Sequence, residues 1–346
     1  MRSILLLFSV CLVALSTLRG QDQHFTQFYA SPLTLNPALS GNFEGFYRAG
    51  INYRNQWRSA LEQPYSTSAA MIDLRLNTPG KIKRRDKIGV GINFFNDRVG
   101  GIDFSTTQMS VTGAYHKSLS FLSNQYLSAG FQLGLTQQNL NYESLTFNDQ
   151  FNGENGYTVP TNEVLPENNF SYADMAIGIN YSAYFDRRAG IYVGGAMHHI
   201  NGPDVSFYDN QAVYPANNLY RKFTVHVGGA MWLGERVQLQ PRVIARKQGP
   251  HYETNAGTNV RFSVNETETV SLHLGSWVRT ASRSGGSWGT EAIVGLVGIE
   301  FSNILLGMSY DANIGTFTGG FRRNAFELSL IYLGEYENES VLCPQF

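Results

Sequence analysis

Hydrophobic residues in this chain recur at every second position over long runs, and that period constrains the fold more than any other feature. Between 221 and 233, Phe223, Val225, Val227, Met231 and Leu233 fall on one side, and Thr224, His226, Gly228 and Ala230 on the other. Successive side chains of a strand point to opposite faces, so this run reads as a strand with one apolar and one polar face, not a helix of period 3.6. The next run repeats the pattern: Val237, Leu239, Val243 and Ala245 oppose Gln238, Gln240, Arg242 and Arg246. Only Gly234 and Glu235 separate the two, as in a tight hairpin. Pro241 interrupts the second run, because it removes a ladder hydrogen bond.

The same reading predicts strands over 46–57, 66–76, 87–98, 103–117, 125–141, 171–185, 189–200, 220–233, 236–248, 255–264, 268–280, 289–300, 303–312 and 324–334. They number about fourteen, an even count as in single-chain bacterial barrels. Many have about the 9 to 11 residues needed to cross a membrane at a tilt, where a soluble sandwich or propeller uses about five or six. Composition points the same way. Charged residues make up 15% and aromatics 13%, with 35 glycines and 19 tyrosines in 346 residues, yet the mean hydropathy is slightly polar. Lipid-facing apolar residues alternating with polar lumen residues cancel in this way. The expected fold is therefore all-β, a transmembrane antiparallel β-barrel of about fourteen strands. A net charge of -1 supplies no basic excess for phosphates, so no nucleic-acid partner is expected.

Arg2 followed by an apolar run from Ile4 to Leu15, broken by Ser9, reads as a signal peptide over 1–20, too short to anchor in a bilayer. No later stretch is apolar enough for a transmembrane helix. The remainder divides into a periplasmic N-terminal segment at 21–45, an outer-membrane barrel at 46–334 and a periplasmic C-terminal tail at 335–346. Cys11 falls in the signal and leaves Cys343 alone, so no internal disulfide can form. The connections 186–188, 234–235, 265–267 and 301–302 are short, whereas 142–170, 201–219, 281–288 and 313–323 are long and polar. That alternation sets short turns on the periplasmic side and long loops outside, with both termini in the periplasm. The first half keeps this parity less well, because the basic stretch 77–86 is long and 99–102 is short.

Few motifs suggest chemistry. Gly285, Ser287 and Gly289 match the nucleophile-elbow pattern, but that turn must lead into a helix and be followed by histidine, and no histidine follows His273. A hairpin loop is the better reading. His198 and His199 are adjacent on a strand and point to opposite faces, so without a bend they cannot share a site. No metal motif, cofactor motif or enzymatic activity has positive support. Arg48, Arg54 and Arg58 oppose Tyr47, Ala49, Ile51, Tyr53 and Trp57 on the first strand. An arginine facing lipid at mid-membrane costs about 2–4 kcal/mol, so these face the lumen, together with Arg242 and Arg246. Acidic partners such as Asp73, Asp174 and Asp311 balance them, either as a stiffening network or as the wall of an anion-selective conduit. Trp57, Trp232 and Trp277 fit interfacial girdles against lipid, with core packing as the rival reading.

Residues 23–41, with Leu35-Asn36-Pro37-Ala38 at their centre, and the run Tyr53-Arg54-Asn55-Gln56-Trp57 resemble the opening of the PorP/SprF family of Bacteroidetes outer-membrane proteins. Further resemblance lies in Phe95-Asn96-Asp97 before Gly100-Gly101, in Ser309 to Asn313, in Phe326 to Tyr332 and in Cys343 to Phe346; the stretch 142–170 has no counterpart. The resemblance implies a non-enzymatic barrel that assists type IX secretion or anchors a secreted adhesin, with gliding motility as one setting for that role. The implied partners are an adhesin bearing a type IX C-terminal sorting domain and a periplasmic peptidoglycan-binding protein. The end segments would then make periplasmic contacts or plug the barrel, and 142–170 and 201–219 would meet the surface partner. A general diffusion porin is the alternative.

Overall fold

The computed structural model describes residues 22–334 apart from 60, 79–85, 123, 186–187, 209–216, 265–268, 283–287 and 315–322. The expected signal peptide, the tail with Cys343, most of the basic stretch 77–86 and Ser287 lie outside the described residues. The strands are β1 (Tyr47–Gln56), β2 (Tyr65–Asn77), β3 (Lys87–Val99), β4 (Phe104–Ser118), β5 (Gln125–Asn139), β6 (Asn169–Phe185), β7 (Ala189–His198), β8 (Lys222–Trp232), β9 (Val237–Gln248), β10 (His251–Ser263), β11 (Val270–Ser282), β12 (Trp288–Phe301), β13 (Ile304–Asn313) and β14 (Ala325–Gly334). Each pairs antiparallel with its sequence neighbour, and β1 pairs with β14 to close the barrel, Tyr47 opposite Gly334 and Gln56 opposite Ala325. A spanning sheet has no water to satisfy an open edge, which is why it must close.

The period-two pattern becomes the two faces of the wall. Phe223, Val225, Val227, Met231 and Leu233 are exposed on the outside, while Thr224 and His226 are buried inside. Pro241 sits in a gap of the β8–β9 ladder, which runs to Gly228 opposite Arg242 and resumes at Met231 opposite Leu239. β10 begins at His251 rather than at 255. Gly249, at φ +55°, turns the chain tightly enough to set Gln248 opposite His251, so Pro250 falls in the turn and removes no ladder donor. β6 likewise starts earlier, at Asn169, and β5 ends at Asn139, so the expected loop 142–170 shifts to 140–168.

Connections 78–86, 119–124, 186–188, 233–236, 264–269 and 302–303 lie at one end, here the turn end. The other, the loop end, carries 140–168 and 199–221 along with shorter links, among them 100–103 and the two-residue turn 249–250.

The segment before β1, expected at 21–45 either to make periplasmic contacts or to plug the barrel, threads the lumen. Asp22 bonds to Gln248 and Lys222 at the loop end, and Arg75 near the turn end of β2 donates to the Phe43 carbonyl. Asp22, where the described chain begins, therefore lies at the end opposite the start of β1, and the termini themselves, expected on one common side, lie outside the described residues. Pro32 and Pro37 each open a short helical turn, Pro32–Leu35 and Pro37–Leu39. Without N–H groups at these positions the segment cannot join the wall as a strand. Its backbone groups need other partners in a lumen this tightly packed, and the polar lumen face supplies them. Glu327 accepts from the Thr26 and Gln27 N–H groups at 2.6 and 2.8 Å, Asp73 accepts from Gly41 N–H, Gln132 donates to the Leu33 carbonyl and His116 Nε2 donates to the Ser40 carbonyl.

Asn36 is the central tie. Its side-chain oxygen accepts from Ala38 N–H, and its amide donates to the Ile179 and Gly195 carbonyls at 3.0 and 3.3 Å. Gly130 and Gly178, opposite each other on β5 and β6, make room for it. A Cβ at Gly178 would lie 1.9 Å from Asn36 Oδ1, and one at Gly130 would lie 2.4 Å from Ala38 N.

Candidate functional site

The segment and the wall meet in a knot of buried charges near the loop end. Arg54 contacts Asp311 at 3.0 Å and also pairs with Glu327, and Arg279 reaches Asp311 at 2.7 Å. Thr26 Oγ1 accepts from both arginines, at 2.8 and 3.0 Å, and donates to Asp311 at 2.8 Å. Four strands and the threaded segment are thus joined by groups whose positions each follow from an inward strand phase. Removing any one would leave a buried charge uncompensated, which costs more than the pair itself yields.

A second tie lies toward the turn end. Arg48 holds Asp73 through two bonds, 2.9 and 2.8 Å, and donates to the Leu39 carbonyl, with both side chains fully buried. Arg242 donates to Gln240, and its guanidinium lies 4.8 Å from the Tyr29 ring centre, a cation–π contact. Arg246 pairs with Glu253 at 2.8 Å, and His24 of the segment meets the same carboxylate at 2.9 Å. Arg58 does not join them. Trp57 at φ +62° ends β1, and past that bend Arg58 is exposed instead of following the inward phase. Of the expected acidic partners, Asp73 and Asp311 meet arginines, whereas Asp174 is held by Gln108 and His199.

Several participants went unread in the sequence. Glu327, Arg279 and the cluster of Arg261, Glu300 and His273 (2.8 to 3.0 Å) all sit at inward positions of their strands. The period could have found them. For Trp277 core packing, the rival to an interfacial girdle, is what the structure shows: it shares the phase of His273 and Arg279 and is buried in the lumen, bonded to Asn259 at 3.0 Å and edge-on to Phe28 at 5.4 Å. Trp232 lies beneath the Arg261 guanidinium and Trp57 packs on Tyr65. Trp288, exposed at the loop end of β12, is a better girdle residue.

His198 and His199 do come to one region, because the backbone supplies the required bend: His199 takes φ +57° just past β7. Both are buried, with ring centres 6.3 Å apart. His198 Nε2 donates to the Leu35 carbonyl. His199 stands between two carboxylates, Nε2 2.7 Å from Asp22 and Nδ1 3.0 Å from Asp174, so both ring nitrogens donate and the ring is an imidazolium. Burial opposes that charge, but Asp22 and Asp174 overcome it and raise the group to about 9. Burial alone would raise Asp22; Lys222 and His199 beside it hold its carboxyl well below the usual carboxylate range. This cluster fastens the start of the threaded segment. Among the described residues, no group of three or more potential ligands could hold a metal ion.

Beside the segment, on its loop-end side, lies a cavity of about 450 Å³, within the range of small-molecule sites. Phe25, Phe95, Phe104 and Leu35 contribute apolar wall, while Asp97, Asp174, His199 and Lys222 contribute charge.

Residues 17–332 match a family model described as type IX secretion system membrane protein PorP/SprF. No curated protein matches significantly. Among solved structures, the CymD monoaromatic hydrocarbon channel is similar at TM-score 0.50 and 10% identity, over 92% of this chain and 96% of that one. The toluene transporter TbuX of Ralstonia pickettii follows at 0.48 and 9%, over 89% and 94%. At such identities the likeness concerns the barrel alone.

Proposed function

The chain belongs to the PorP/SprF family of type IX secretion system membrane proteins, an outer-membrane barrel of that system, and from this premise we propose that it anchors a secreted adhesin-like partner at the cell surface. The occupied lumen carries this reading. The chain's own residues 22–43 fill the barrel along its axis, with Ala30, Leu33, Ala38 and Leu39 fully buried, and such packing suits a mount better than a diffusion pore.

With the long loops facing outward, 140–168 offers the docking surface. It is internally braced: Asn152 Oδ1 accepts the N–H groups of Glu154, Asn155 and Gly156, and Asp149 accepts from Thr161 and Asn162. It also exposes Phe151, Tyr157, Val159, Val164 and Leu165 to water, apolar surface of the kind that marks interaction sites. The partner's type IX sorting domain would engage this face, and a periplasmic peptidoglycan-binding protein would engage the turn end; a role in gliding follows if the anchored protein is a motility adhesin.

Removing 142–166, which spares β6, should release the partner into the medium while the barrel still folds. Unchanged retention would refute the loop assignment. The porin reading is tested separately, since steady open-pore current from the purified protein in planar bilayers would favour it over the anchor.

A further inference from the structure

Asp97 differs from the other carboxylates that line the cavity. It is 5% exposed on the inward phase of β3, and among the described residues its one hydrogen-bond partner is Thr67, which donates at 2.6 Å. No cation of the described chain pairs with it. Arg54, two strands away in the same row, is engaged by Glu327 and Asp311, and the neighbouring Arg98 points outward to Asp103. Every other carboxylate lining the cavity is answered: Asp22 by Lys222 and His199, Asp174 by His199. A carboxylate buried without a partner is costly, and this one faces the cavity.

The surroundings of Asp97 narrow the chemistry of the group that would neutralise it. Phe95, two residues away on the same strand, meets Phe25 of the threaded segment edge to face at 6.1 Å, and Phe104 stands at the cavity's outer end. Aromatic faces beside a carboxylate favour a cation carried on an apolar body, through charge and cation–π attraction together. A metal ion is a poor fit, because among the described residues no group of three or more His, Cys, Asp or Glu side chains could hold one.

We propose that this cavity is a binding site for an organic cation, an ammonium or guanidinium on an apolar body, with Asp97 as its counter-ion and Phe25 and Phe95 as its apolar wall. The cation can come from a free amine or from a lysine or arginine of a polypeptide inserted at the loop end. The proposal does not depend on the anchoring role and stands or falls separately from it.

Titration calorimetry on the purified barrel tests it with three probes: 2-phenylethylamine, its neutral analogue 2-phenylethanol, and N-acetyl-phenylalanyl-arginine amide. At least one cation should bind saturably and more tightly than the alcohol. Asp97→Asn, which keeps an acceptor for Thr67, should weaken that cation about tenfold or more, as loss of a charged hydrogen bond does, and leave the alcohol unaffected. Tighter binding of the dipeptide assigns the cation to a polypeptide; tighter binding of the amine assigns it to a free molecule. Binding of neither cation more tightly than the alcohol, equal binding by wild type and Asp97→Asn, or no saturable binding of either cation at millimolar concentration overturns the site. The heat-dependent gel shift of a closed barrel shows whether the variant has folded, and if it has not, the comparison of the two cations with the alcohol on the wild type still decides.

Discussion

At the scale of single residues, most of the lumen's carboxylates are held by a named cation. Arg48 and Asp73 are fully buried and joined by two bonds, so truncating one partner strands the other. Asp73→Ala should destabilise the barrel by about 3–5 kcal/mol in denaturant unfolding, and Arg48→Met with Asp73→Leu should recover much of that; a single variant as stable as wild type would show that the pair contributes little. His199 makes a pH prediction. Its folded value, about 9, lies above the ordinary 6.5, so its contribution is complete below 6.5 and is lost as pH rises through 9. Asp22 is depressed, so its contribution is present above the ordinary 3.8 and is lost as pH falls through its lower folded value. Asp174 and Lys222 are the other charges in the cluster. A nitroxide at position 23, in a Cys343→Ser background, should be immobile at pH 6 and loosen above pH 9, and His199→Gln should loosen it at pH 6. A label equally immobile in every case would show that this cluster does not fasten the segment.

Among the elements, the threaded segment and its seat depend on each other. The facing glycines 130 and 178 leave space for Asn36, Pro37 and Ala38, and no side chain fits there without moving the segment. Gly178→Val should cost about 1–3 kcal/mol and expose residues 22–36 to added protease while the strands stay intact; resistance equal to wild type would show that the seat can adapt. The proposed docking loop is a different kind of element, braced by its own side chains and absent from the period-two pattern. Its expected boundaries are displaced at both ends: β5 stops at Asn139, short of 141, whereas β6, 17 residues long, already pairs from Asn169.

For the whole molecule, orientation is the quantity to measure. With long loops outside, a membrane-impermeant thiol reagent on intact cells should label a cysteine placed at 152 and miss one at 235. Because the segment crosses the lumen from the loop end, a cysteine at 23 should also be reached from outside. Labelling at 235 but not at 152 would invert the barrel, and failure at 23 alone would mean that the segment's first residues are covered.

The sequence by itself determined the barrel: the period of two, the even strand number, and the inward phase of Arg48, Arg54, Arg242 and Arg246 all come from local rules that hold strand by strand. It misplaces Arg58, which lies beyond a backbone bend that alternation cannot see, and it leaves Trp277 between girdle and core, where residue type points to lipid and the inward phase to the lumen. Where the N-terminal segment goes was decided only by the tertiary structure. Residues 22–43 carry no strand pattern, and their path depends on partners roughly 300 positions away, such as Glu327 for Thr26 and Gln27. The same holds for Asp97, whose lack of a cation is a property of the assembled lumen. A periodic pattern encodes which face a residue takes, whereas the filling of an enclosed space is settled only when distant residues meet inside it.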